Sequence, residues 1–246
     1  MRKVTRTSLN ARTIRMLSRR QTDVNAKAAT GRLDEQIVWD ASIKTRYIQD
    51  SLSALKAMAG PRERCMYCVD SEGAEIDHFW PKSHYHQHMF VWNNFLLCCG
   101  VCNKKKSDKF PLTNGTPLLI DPSMENPWDS LDFDPTTGNF SARYDPIANA
   151  PNPKGVQTVD IFQLDRREGV SSGYLRSLKR ISDQITAFFV HPTQPVPDLI
   201  RKLEQDDEHG LLVWCFNGLG SQIAPFCNLR TSHPTVWMAC CSAFPS

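Results

Sequence analysis

Apolar residues recur along this chain at two periods, one helical and one of alternating strands. From Gln36 to Ala59, Ile37, Ile43, Tyr47, Leu52, Leu55 and Met58 return at roughly helical spacing, and Gly60-Pro61 ends the run. This predicts a helix packed on the side of the segment that follows. Tyr174 to Val190 reads as an amphipathic helix with Leu175, Leu178, Ile181, Ile185, Phe188 and Phe189 on one face, closed by His191-Pro192. A shorter helix is predicted from Pro197 to about Glu208, and Val156–Leu164 reads as a strand or a helix start. Between Pro111 and Pro153 the turn formers Pro, Asn, Gly and Asp surround short apolar runs, which predicts loops with short strands at Leu118–Ile120 and Asn139–Tyr144. Leu118, Leu119, Trp128 and Phe133 make that stretch too apolar for a free linker. Glu75-Ile76-Asp77-His78 alternates polar and apolar character, as a strand does, with Asp77 and His78 on opposite sides. The tail to Ser246 is apolar and Cys-rich, and there is no internal repeat. The pattern as a whole predicts an α+β, mostly helical chain.

Composition narrows this only a little. The 246 residues are 41% hydrophobic and 22% charged, with a net charge of +3, an ordinary soluble balance that diagnoses no partner. The distribution of charge says more. Residues 1–20 carry seven Lys/Arg and no acid, which suits either a phosphate backbone or a solvated basic arm. No apolar run reaches the length of a membrane span, and the N-terminus lacks the apolar stretch of a signal peptide. Nine Cys in such a chain imply a reducing compartment, with the cytoplasm as the expected location.

The chemistry concentrates between Arg64 and Phe110. Cys65/Cys68 and Cys99/Cys102 are two CxxC pairs about thirty residues apart, a spacing that supplies four thiolates to one tetrahedral zinc ion with no open position. Cys98 is a rival ligand, and the two-residue spacing to Cys102 favours Cys99. A site of this kind pins a β-hairpin to the start of a helix and stabilises a module with little core of its own. Asp77-His78 and Asn94 lie between the pairs, and Asn103 follows the second.

The pattern C-x-x-C, D-H-x-x-P, W-N-N, C-x-x-C-N-x-x-K resembles the HNH endonucleases, whose site is a ββα-metal motif within a treble-clef-like module. The longer run, with DHFWPKS, WNNFLLCC, CNKKKSDKFP and LLIDPSMENP, is similar to the HNH proteins of prokaryotic antiviral systems, notably Septu and HNH-carrying retrons. It covers residues 64–127 well, and a weaker echo, VDIFQLDRREGV and the helix after it, extends to about residue 190. The resemblance implies that Asp77 and Asn103 ligate one catalytic divalent cation, Mg²⁺ or Mn²⁺, and that His78 is the general base. It implies that Asn94 braces the loop between the strands, standing five residues before Cys99 and nine before Asn103. It also implies an antiphage nuclease that cuts phosphodiester bonds to leave a 5′-phosphate and a 3′-hydroxyl, working with an ATPase partner protein.

Elementary chemistry agrees with those roles. An imidazole titrating near neutrality can take a proton from an attacking water, and a hard cation on two oxygen ligands neutralises charge on the phosphate. DNA is the expected substrate. RNA stands as the alternative, since a site built on a phosphate does not itself read a 2′-hydroxyl. A non-catalytic zinc module binding nucleic acid or a protein is the second alternative. Lys106, Lys104 and Lys82 are phosphate-contact candidates, with a solvated face as the competing reading for the lysines of the run other than Lys106. His84, His86 and His88 read as surface loop, and Trp80 and Trp92 as local core. The expected organisation is a basic arm and helix over 1–61, an HNH module with structural zinc over 62–112, and a mostly helical region over 113–246 packed on it.

Overall fold

Two of the first helices start on side chains that satisfy orphan backbone donors. The Asn10 side chain accepts from Thr13 N at 2.9 Å and opens α1 (Ala11–Ala29), and Asp34 accepts from Ile37 N at 2.8 Å and opens α2 (Glu35–Ile43). The helix expected to run through to Ala59 is instead two. Thr45 is extended (φ −74°, ψ 150°) and donates its hydroxyl to Ser42 O at 2.6 Å, closing α2 before α3 (Arg46–Ala59) begins. The buried face also differs from the expected one. Val38 and Trp39 point inward, whereas Ile37 is 66% exposed.

The computed structural model describes residues 1–245 and is a mostly helical α+β protein with small two-stranded sheets. These residues form two units, one spanning Val4–Glu125 and the other joining Met1–Lys3 to the residues from Asn126 onward.

In the first unit, β1 (Glu75–His78) pairs antiparallel with β2 (Phe95–Cys98), in the register Glu75–Cys98 through His78–Phe95. All four β2 residues are buried, which explains their unbroken apolar run: α3 packs on the strand, and the Met66 amide hydrogen bonds to Leu97 O. Gly73 is required here, because a Cβ would lie 2.3 Å from the Leu97 side chain. The chain then turns directly into α4 (Gly100–Lys106), which packs back on β1. A small hairpin, β3 (Leu112–Thr113) with β4 (Thr116–Pro117), follows. Leu118–Ile120, expected as a strand, is irregular, with Leu119 and Ile120 fully buried.

The second unit pairs β5 (Leu131–Phe133) with β6 (Phe140–Ala142) and β7 (Tyr144–Asp145) with β8 (Ala150–Pro151). Val156–Leu164 resolves as helix: α5 (Pro153–Phe162) opens on Asn152 and lies so close to its neighbours that a Cβ on Gly155 would meet Ser130 O at 2.1 Å and Ala142 of β6 at 3.0 Å. The long helix α6 (Glu168–Val190) starts six residues before the amphipathic stretch. It is followed by α7 (Val196–Asp206), α8 (Leu212–Asn217), α9 (Phe226–Ser232) and α10 (Pro234–Ala243). The core of this unit is aromatic, with Phe140 edge-on to Tyr174 at 4.7 Å and Phe133 edge-on to Trp214 at 5.2 Å.

Candidate functional site

The two CxxC pairs arrive at one place because each is anchored to the hairpin. The first turns tightly, with Val69 N bonded to Cys65 O and Cys65 N to Ser71 O, while the second straddles the β2–α4 junction. All four residues are buried, and their Sγ atoms lie within 4.8 Å of one another. Cys68 Sγ and Cys99 Sγ are 3.9 Å apart. Sulfurs about 2.3 Å from a shared tetrahedral ion stand about 3.8 Å from each other, so the spacing fits zinc. Cys98 stays outside the cluster, its thiol donating to Cys99 O at 3.3 Å. Without a cation, burial pushes the Cys65 thiol well above its ordinary range. A dication would reverse that preference by binding thiolates. The four cysteines are positioned to bind a metal.

Beside this centre, within the same unit, is a cavity of about 800 Å³. Its lining brings together Asp77, His78, Asn103, Lys104 and Lys82, along with Glu75. Asn94 and Lys106 are not part of that lining.

His78 is 6% exposed, its ring edge-on to Trp39 of α2 at 4.3 Å and to Phe95 at 5.3 Å. Its Nε2 lies 2.9 Å from Met89 O. A carbonyl only accepts, so Nε2 carries the proton and Nδ1 keeps the basic lone pair. Burial lowers the His78 pKa to about 3, with the charges of Lys82 and Lys106 acting in the same direction and the Met89 bond against it. The ring is therefore neutral at pH 7 with Nδ1 unprotonated, and burial makes it a weaker base than the imidazole titrating near neutrality that the sequence led one to expect.

Asp77 is on the opposite side of β1. Its Oδ2 accepts from the Tyr67 hydroxyl at 2.6 Å, and Lys106 Nζ lies 3.2 Å from Oδ1 and 3.1 Å from Oδ2. Lys106 also donates to His78 O at 2.7 Å and is fully enclosed, with 0% exposure. This corrects the expectation of a phosphate contact at Lys106: four residues beyond Cys102 on α4, it shares that ligand's inward face. Lys104 is exposed, and Lys82 is half-buried, with Nζ 3.1 Å from Gln36 Oε1. Asn103 donates its amide to the Glu75 carboxylate. Glu75 was not among the expected site residues, although the two-residue strand period places it on the same face as Asp77. Trp39 was missed because the α2 pattern pointed to Ile37.

Asn94 accepts from Trp80 N at 2.7 Å and donates to Trp80 O at 3.0 Å and His88 O at 2.9 Å. The loop from β1 to β2 thus closes on one buried amide. Asn94→Ala is expected to leave these backbone groups without partners and to cost about 2–4 kcal/mol in denaturant unfolding. An unaltered midpoint would show that the loop holds without the amide. Trp80 packs with Tyr85 and Phe110, while Trp92 lies under the Arg6 guanidinium at 5.0 Å. Arg6 bonds to Trp92 O, Phe95 O and Ser123 Oγ, so this arm residue is structural. Arg12, Arg15 and Arg19 are exposed on α1.

No family model matches this chain, and no solved structure does. A curated protein described as Septu protein PtuB, from Bacillus thuringiensis, is 28% identical over 112 residues. The aligned region is 42% of this chain and 37% of that protein, so the chain spans little more than a third of its relative. Among the described residues, no helix is long and apolar enough to cross a membrane.

Proposed function

We propose that this chain is a metal-dependent HNH endonuclease, built on the ββα arrangement of β1, β2 and α4, that hydrolyses phosphodiester bonds in DNA. The observation that carries the reading is the shared cavity: His78, Asp77 and Asn103 all line one space beside a four-cysteine centre. The centre's donor set suits structural zinc. Asp77 and Asn103 would hold Mg²⁺ or Mn²⁺, with the Glu75 carboxylate next to Asn103 as a further hard oxygen. When bound, that cation stabilises charge on the scissile phosphate and the leaving oxygen. His78 takes the proton of the attacking water at Nδ1, and its Nε2–H bond to Met89 O keeps the ring in the tautomer that can do so. Asn94 holds the loop that carries Met89. Lys82 and Lys104 contact the phosphates that flank the cut. Similarity to a Septu protein supports a role in antiphage defence alongside a partner protein, an ATPase by the family resemblance.

A second reading, a zinc module that only binds nucleic acid or protein, is favoured by one fact: both Asp77 oxygens already have partners in Lys106 and Tyr67. Incubating the full chain with supercoiled plasmid and with total RNA, in Mg²⁺ or in EDTA, separates the readings. Mg²⁺-dependent cutting of the plasmid is expected. Intact plasmid and RNA with a fully metallated cysteine centre would move the protein to the binding class, and cutting of RNA alone would change the substrate. Reversing charge at Arg12, Arg15 and Arg19 is expected to weaken binding and to flatten log K against log salt by roughly 2–3. An unchanged slope would return α1 to a solvated face.

A further inference from the structure

We propose that Tyr67 and Lys106 are positioning residues that aim the Asp77 carboxylate at the catalytic cation, a role that rests on the nuclease reading. Each is rooted in one half of the cysteine centre. Tyr67 lies between Cys65 and Cys68, wholly buried, and its hydroxyl reaches Asp77 Oδ2 at 2.6 Å. Lys106 lies one turn beyond Cys102, equally buried, with Nζ within 3.2 Å of both Asp77 oxygens. The carboxylate is therefore gripped from the first CxxC turn and from the helix that the second CxxC turn starts.

Stability alone does not account for this arrangement. A buried ion pair offers little over an apolar pair of similar volume, because desolvation offsets the attraction. Neither Tyr67 nor Lys106 lines the cavity, whereas Asp77 does, so neither is placed to touch a substrate. What the pair can do is fix which way the carboxylate points. Asp77 lines the cavity that Asn103 and Glu75 also line, so a cation entering there would meet a carboxylate already held in one orientation. Outer partners of this kind hold a ligand in register, and their loss typically costs 10–100-fold in metal affinity or activity.

The test is Tyr67→Phe in the full chain, which deletes one oxygen and keeps the ring. Mn²⁺ binding is read by titration calorimetry, beside the metal content of the cysteine centre, the melting midpoint, and kcat and substrate KM. Mn²⁺ affinity and kcat are expected to fall about tenfold or more, with cysteine-bound metal, melting and substrate KM near the parent's. Lys106→Met, which keeps the stem and removes the charge, is expected to act in the same direction. Tyr67→Phe with Mn²⁺ affinity within twofold of the parent would overturn the positioning role. Asp77→Ala separates the two levels of the argument. If it abolishes Mn²⁺ binding while Tyr67→Phe does not, only the positioning role falls. If Asp77→Ala leaves Mn²⁺ binding intact, the cation site itself is wrong.

Discussion

His78→Ala is expected to lower the cleavage rate about 10²- to 10⁴-fold while the cysteine centre keeps its metal. The imidazole is the one group bordering the cavity that is buried, neutral at pH 7 and furnished with a hydrogen bond that leaves a basic nitrogen. Removing it also empties a space against Trp39 and Phe95, so a stability loss of about 2–4 kcal/mol is expected alongside. His78→Gln separates the two effects. Its amide can still donate to Met89 O but offers no basic nitrogen, so stability should recover in part and cleavage should not. Plasmid assays beside melting curves check both. A His78→Gln enzyme cutting at the parental rate would remove the general base from the mechanism.

Cys65→Ser or Cys99→Ser should cost more than activity. A buried serine is a poor replacement for a thiolate, and the three remaining sulfurs would be left in an apolar site without compensating charge. Metal content is expected to fall from one ion per chain towards none, with the unit from Val4 to Glu125 losing several kcal/mol and becoming protease-sensitive around the hairpin. The unit has core of its own in Leu17, Val24, Ile48, Leu55 and Leu96, so the remainder should not melt as a bare zinc peptide does. Acid should mimic the substitution. Burial raises the Cys65 thiol, so metal binding must displace protons, and affinity falls as pH falls. Elemental analysis across a pH series, beside thermal melts, reads both effects. Full metal content and a parental melt in either serine variant would show that the ligand set is different.

Much of the centre was legible because its chemistry depends on local spacing. The two-residue gap before Cys102 selected Cys99 over Cys98, and in the structure Cys99 joins the cluster while Cys98 bonds to a neighbouring carbonyl. Lys106 was misread for an instructive reason. Its place four residues beyond Cys102 suggested a phosphate contact, but the same helix period puts it under the Cys102 turn, where Asp77 and a backbone carbonyl receive its charge. The face of α2 was misread because a nine-residue helix carries too few apolar positions to fix its phase. Val38 and Trp39 turn inward, and it is Trp39 that packs on His78.

By itself the sequence determined the four sulfur positions, the strand carrying Asp77 and His78, and a largely helical chain, because ligand spacing and hydrophobic period act over a few residues. Only the tertiary structure decided that Tyr67 and Lys106 close on Asp77, that Glu75 meets Asn103, and that Trp39 walls in His78. Those contacts join residues up to about forty positions apart, and their energetics depend on burial and on which partner faces each charge, quantities that no local pattern contains.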